Sequence, residues 1–335
     1  MSLTRSTLLR LAAGTGIAAG LPVPAFAAVP VMRGDPEQKS MKIGIAVPDV
    51  AYLALYVAAA QGLWKAEGLD VQLVTFSGDA SVTQALAGGS IDMNSASIVG
   101  LLNLIQSGQK VKAISSNCNQ AVFSFIGNSK VKTWNDLKGG TFGVASYGSV
   151  TAALGTVALA QHGLVVDKDI QLVQTGGSPN AYAALESGRL SGSGFSLPYA
   201  LKAKSAGMNF LGSQVTITGT QWPAETMYAK EDYLAKNPKT VSAMMRGLAV
   251  AAKVIATQPL VAIKVLQDAM KLEPEIASAS YSVVKNTFLP RGEFPKDMSR
   301  IWKVLIAAKV ITAPVAMNVW YDPTWVDNYD AWKPR

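Results

Sequence analysis

The feature that most constrains this chain is an alternation of short apolar, β-prone runs with longer helix-period runs, begun near Met41 and begun again near Thr141. Residues 42–47, 71–76, 91–94 and 111–115 read as strands, with 53–67, 80–87 and 98–107 as the helices between them. Such alternation specifies a mostly parallel sheet with helices on both faces. The second round predicts strands over 141–145, 170–174 and 193–196, helices over 150–162 and 181–187, and a further helix at Tyr199. From Lys230 the pattern turns almost wholly helical, over 240–256, 260–270, 275–287 and 296–308. At 335 residues and 49% apolar, the chain has length for about two domains and apolar surface for a large core. The expected class is α/β with two doubly wound units.

The first 27 residues read as an export signal. Arg5 and Arg10 supply a positive start, residues 11–21 a short apolar stretch, and Ala25-Phe26-Ala27 a small-x-small cleavage site. A mature chain starting near Ala28 and exported by the general secretory route is expected, since Thr4-Arg5-Ser6-Thr7 lacks the second arginine of a twin-arginine signal. No later stretch of about 20 residues is free of charge and glycine, so a soluble periplasmic product is the expectation. The one cysteine, Cys118, has no partner for an internal disulfide and reads as a buried thiol. Net charge is +8, or +6 without the two leader arginines, and the basic residues are scattered. No basic run or interleaved aromatic stripe marks a nucleic-acid surface. With one histidine, His162, and one cysteine there is no metal cluster of familiar spacing and no Ser-His-Asp or Cys-His set. No cofactor is expected. His162 reads as a helix C-terminal partner, Met244 and Met245 as core, and Glu225 as a hinge lining or a solvated side chain.

Ligands on such sheets collect outside the carboxyl ends of the strands. The loops there are 48–52, 95–97 and 117–119 in the first unit, and 146–151, 176–180 and 196–199 in the second. They are rich in Ser, Asn, Gly and aromatic residues, which bind by hydrogen bonding and stacking. The run Ser146-Tyr147-Gly148-Ser149-Val150-Thr151 falls between a strand and a helix, where unpartnered amides and the helix dipole favour an anion. The same residues would equally make a capped helix. Asp49 either faces the cleft, where it would pair with an amine, or caps the helix from Leu53. Tyr52, Tyr147 and Trp222 either stack on a ligand or pack inside the protein.

Several motifs then resemble a known family. Tyr56-Val57-Ala58-Ala59-Ala60-Gln61-Gly62-Leu63-Trp64-Lys65-Ala66-Glu67-Gly68-Leu69-Asp70-Val71 is similar to the first helix and second strand of the periplasmic substrate-binding proteins of nitrate, sulfonate, taurine and thiamine-precursor ABC importers. Ala85-Leu86-Ala87-Gly88-Gly89-Ser90-Ile91-Asp92, Asp136-Leu137-Lys138-Gly139 and Tyr321-Asp322-Pro323-Thr324-Trp325 extend the likeness over nearly the whole mature chain. The resemblance implies a type II periplasmic binding protein, a Venus flytrap of two lobes joined by two crossover strands. Lobe one would hold 28–124 plus 229–335 and lobe two 125–228, with crossovers over 122–126 and 225–228. It further implies a ligand site of Asp49, Tyr52, Ser95, Ser97, Asn117, Ser146, Tyr147, Gly148, Ser149, Thr151, Ser196 and Trp222. Where relatives carry a second Gly-x-x-Asp-Ala, this chain has Gly188-Arg189-Leu190-Ser191-Gly192, which loosens the assignment around Ser196. The implied function is a monomeric receptor that hands a small organic anion or zwitterion, of the sulfonate, taurine or aromatic carboxylate type, to a permease driven by an ATPase. A thiamine-precursor pyrimidine, or a role as sensor for a membrane receptor, is the alternative. An enzyme like the related pyrimidine synthases would need an active histidine and a cysteine-rich motif that the sequence lacks.

Overall fold

The computed structural model describes residues 31–120 and 122–335, and the export signal expected over 1–27 lies outside them. Ten strands are present among these residues: β1 (Ser40–Ile45), β2 (Asp70–Thr75), β3 (Met93–Ala96), β4 (Val111–Cys118), β5 (Phe123–Gly127), β6 (Thr141–Val144), β7 (Gln171–Gln174), β8 (Gly192–Ser196), β9 (Asn209–Ser213) and β10 (Glu225–Lys230). They form two five-stranded sheets, ordered β2-β1-β3-β10-β4 and β7-β6-β8-β5-β9. Both sheets follow one plan. Three parallel strands lead, a reversed strand takes the fourth place, and an outer strand closes the edge. The reversed strand is β10 in the first sheet, antiparallel to β3 and β4, and β5 in the second, antiparallel to β8 and β9. In each case it is the strand that arrives from the other sheet.

The two segments read from sequence as crossovers are thus ladder strands. Residues 123–127 lie inside the second sheet and 225–230 inside the first, so Glu225 to Tyr228 pair with the first lobe's strands. The chain passes between sheets just ahead of each. An extended run paired by remote strands and an unpaired link look alike in a sequence, because the partners that distinguish them are distant.

The helix expected over 53–67 is two helices, Leu53–Ala60 and Leu63–Ala66, parted at Gly62, whose φ of 64° is left-handed. Helix Asp79–Gly88 follows β2 and lies tightly on β1. A Cβ on Gly44 of β1 would stand 2.6 Å from Val82 Cγ2, so only glycine permits this approach. The closeness matters because it brings Asp79, at the helix start, to the open end of the sheet.

Helices Pro238–Thr257, Pro259–Met270 and Pro274–Val284 each open on proline, which needs no amide partner at that position and presets φ. They pack with Leu53–Ala60 against the first sheet, in a core that includes Met244, Met245, Trp325 and Trp332. Trp64 Nε1 donates to Met244 O at 2.9 Å and ties the early helices to the late ones. Pro238–Thr257 is the one described helix long and apolar enough to cross a membrane, and most of it is buried inside the protein.

Candidate functional site

A small cavity, of about 40 Å³, lies at the carboxyl ends of the strands, between the two sheets. Its walls come from Ala46, Val47 and Asp49 after β1, Gly78 and Asp79 after β2, Val144 at the end of β6, and Ala145, Ser149, Val150 and Thr151 beyond it. Thr175, Gly177 and Ser178 add the loop after β7, while Phe123 and Trp222 stand beside the interlobe links.

Five of the residues expected from sequence meet in this cavity: Asp49, Tyr52, Ser149, Thr151 and Trp222. Asp49 caps the turn just ahead of the helix from Leu53 and also lines the cavity. Its Oδ1 accepts from Ala51 N at 2.9 Å and caps the turn Val50–Tyr52. Burial pushes its pKa up to about 6, against the lowering pull of the Ala51 amide and the nearby Ser196 hydroxyl. Burial, then the Asp79 and Asp49 carboxylates, push the Tyr52 phenol well above its ordinary range.

The remaining expected residues stand behind the wall or outside it. Ser95 Oγ donates to Glu225 Oε1 at 2.8 Å, and Asn117 N donates to Glu225 Oε2 at 2.7 Å. These two hold a buried carboxyl whose pKa burial raises to about 7. Ser97 caps helix Ile98–Gln106 and donates its hydroxyl to Asp79. Ser146 is buried with its Oγ against Gly78, and Ser196 is buried behind Asp49 without a hydrogen bond of ordinary geometry. Tyr147 is 66% exposed, and Gly148 O accepts from Asn103 Nδ2 at 3.1 Å, both outside the cavity.

The turn runs strand, hydroxyl cap, helix, and several of its polar groups are engaged within the protein, although the buried Ser146 Oγ has no partner. Ser149 caps helix Val150–Gln161, accepting from Ala152 N and donating to Ser146 O at 2.6 Å. Thr151 Oγ1 accepts from Ala145 N at 2.9 Å. The first helical amide, Val150 N, donates to Asp79 Oδ2 at 3.2 Å. Asp79 also accepts from Ser97 Oγ at 2.9 Å and Ser97 N at 3.3 Å, and is 4% exposed.

Asp79 is the main residue the sequence reasoning missed. Its signal is in the sequence: Ser77-Gly78-Asp79 is the carboxyl-end loop of β2, placed by the same rule as the loops after β1 and β6. The lining holds two carboxyls, the aromatic rings of Tyr52, Phe123 and Trp222, and no lysine, arginine or histidine. His162 is elsewhere, stacked on Trp134 at 4.5 Å between ring centroids. Among the described residues no group of acids, histidines and cysteine is arranged to hold a metal ion.

This architecture has known counterparts. The family description "NMT1/THI5 like" matches residues 50–262. A putative binding protein, YtlA of Bacillus subtilis, is 28% identical over 205 residues, which is 60% of this chain and 61% of that relative's length. A solved structure from Bordetella bronchiseptica RB50 superposes with a TM-score of 0.77 at 24% identity, over 89% of this chain and 98% of the other. The alkanesulfonate-binding protein SsuA from Xanthomonas axonopodis pv. citri, bound to MOPS, gives 0.68 at 20% identity, over 83% and 96%. With two five-stranded sheets of matching plan flanking one cleft, and a match across well over half its length, the chain belongs to the NMT1/THI5-like family and has the two-lobed periplasmic-binding-protein fold.

Proposed function

We propose that this protein is the periplasmic solute receptor of an ABC importer, and that its ligand is a small ring-bearing compound presenting an amine or N–H donor, of the aminopyrimidine kind. One observation carries the ligand class: the cavity offers two buried carboxyls and aromatic rings, and no cation. A bare anion such as nitrate or an alkanesulfonate would sit beside Asp49 and Asp79 with nothing to balance it, and like charges in a desolvated site repel strongly. A donor on the ligand would instead pair with Asp49 at roughly 1.5–3 kcal/mol for a charge-assisted hydrogen bond. Tyr52 and Trp222 supply the stacking surface.

A second reading, a zwitterion of the taurine type, is supported by helix Ser178–Glu186, which starts at the cavity wall. Its first amides would face the acid group while Asp49 held the ammonium. In either reading the ligand touches both lobes, favours the closed arrangement, and is delivered to a permease worked by an ATPase. The receptor binds and releases without catalysis.

The test is a thermal-shift and calorimetry series on the chain from residue 28, with aminopyrimidines, taurine, alkanesulfonates and nitrate. Saturation at a hundredfold over Kd adds about 2.7 kcal/mol, a clear rise in Tm. Aminopyrimidines are expected to stabilise and simple anions not. Stabilisation by sulfonates or nitrate alone would return the anion reading.

A further inference from the structure

We propose that Asp79 is an interlobe latch: it fills, from within the chain, the place an anionic ligand group would take at the start of helix Val150–Gln161, so the cleft closes without an anion. This rests on the two-lobed receptor reading but not on the identity of the ligand.

Asp79 follows β2 of the first sheet, and Val150 follows β6 of the second, so the 3.2 Å hydrogen bond between them joins the lobes. Ser149 caps Ala152 N, which leaves the Val150 amide for a partner outside the helix. The carboxylate supplies it, and a negative charge there is favoured by the helix dipole. Two donors from Ser97 hold the carboxylate from its own side, so three donors converge on a side chain almost closed to water. The facing ionisable groups are the Tyr52 and Tyr228 phenols and, across the cavity, Asp49. No cation is among them, so the amide across the seam is the carboxylate's one partner in the second lobe.

The seam around the latch is shaped for close approach. A Cβ on Gly78 would lie 3.3 Å from Ser146 Oγ, and Gly78 holds a φ of 142°. Asn103 Nδ2 reaches Gly148 O at 3.1 Å on the same side. Opening the lobes would return Asp79 to water, so the latch holds the closed form only moderately and a ligand can still tip the balance.

Two variants test this without the cognate ligand. Asp79→Ala removes the carboxyl and frees three donors. Val150→Pro removes the amide and leaves Asp79 in place, at a helix position where proline is favoured and after Ser149, whose φ of −95° and ψ of 165° suit a residue before proline. Lobe separation in the ligand-free protein, read by small-angle scattering and by a fluorophore pair with one label per lobe, is expected to increase in both variants. Sulfate binding by calorimetry is expected to be weak in the wild type and about tenfold to a hundredfold tighter in Asp79→Ala, with no gain in Val150→Pro. Unchanged separation in both variants overturns the latch. Opening without a gain of sulfate binding in Asp79→Ala overturns the claim that the carboxyl stands in for an anion. If Asp79→Ala does not fold, Val150→Pro alone decides the latch.

Discussion

At the scale of single residues, the pH behaviour of this protein is set by carboxyls that burial holds above their ordinary range. Asp49 is raised from 3.8 to about 6 and Glu225 from 4.5 to about 7, each mainly by desolvation. The groups around Glu225 are the Asn117 amide, the Ser95 hydroxyl and the buried Cys118 thiol, none of them cationic. A folded-state pKa above the unfolded value means that the native protein binds protons more tightly than the unfolded chain. The stability this contributes is complete below the ordinary carboxylate range and is lost as pH rises through about 6 for Asp49 and about 7 for Glu225. Each group is worth on the order of 3 kcal/mol across that window. The ligand-free protein is therefore expected to melt higher at pH 5 than at pH 8, and Asp49→Asn with Glu225→Gln to flatten the profile. Binding runs the other way: an N–H donor of fixed charge gains affinity as Asp49 ionises through about pH 6. Melting curves and calorimetry across that range check both signs. The sequence showed Asp49 at a strand end but left cap and cleft as alternatives, because it cannot reveal that a residue capping a turn also lines the cavity. Ser95 and Asn117 were visible as strand-end polar residues, but the carboxyl they serve, Glu225, lies 130 and 108 positions away.

At the scale of elements, the strand-to-helix turn at 146–151 was legible as a unit, since small hydroxyl residues before an apolar helical run can do little but cap. Which group would occupy the cap's outward amide was not legible, because Asp79 comes from another lobe. Ser149 now has a structural task that a ligand contact alone would not give it: four hydrogen bonds within the turn and helix start pass through its hydroxyl. Ser149→Ala is expected to cost about 1 kcal/mol of stability, the usual worth of an N-cap, and to lower Tm by a few degrees. Ligand affinity should fall by less than tenfold, since the hydroxyl is already engaged. A loss of binding with an unchanged melt would put Ser149 in direct contact with the ligand instead. The same local logic explains what was missed. β9 carries Asn209-Phe210-Leu211-Gly212-Ser213, with Phe210 exposed and no clean alternation, so only its pairing with β5 makes it a strand.

At the scale of the whole molecule, the two sheets share one plan because the chain crosses twice and each returning strand must enter reversed. The second crossing carries a tightly constrained backbone position. Helix Val215–Thr218 ends at Gly219, whose φ of 75° and ψ of −172° fall in a region that only glycine visits freely. Three residues on, Trp222 lines the cavity while remaining 1% exposed. A hinge movement that alters this link would therefore move an indole within the ligand site. Gly219→Ala is expected to cost about 1–3 kcal/mol through backbone strain alone. It should also change the tryptophan fluorescence response to ligand, because the strain relaxes by shifting the segment that carries Trp222. Gly207, also left-handed at φ 78° but behind helix Leu197–Ser205, provides the comparison. Gly207→Ala should lower the melt and leave the fluorescence response intact, whereas Trp222→Phe should abolish most of that response and also lower the melt, since it shrinks a buried side chain. An undiminished response in Trp222→Phe would place the reporting indole elsewhere, and an unaltered one in Gly219→Ala would uncouple this crossing from the movement of the lobes.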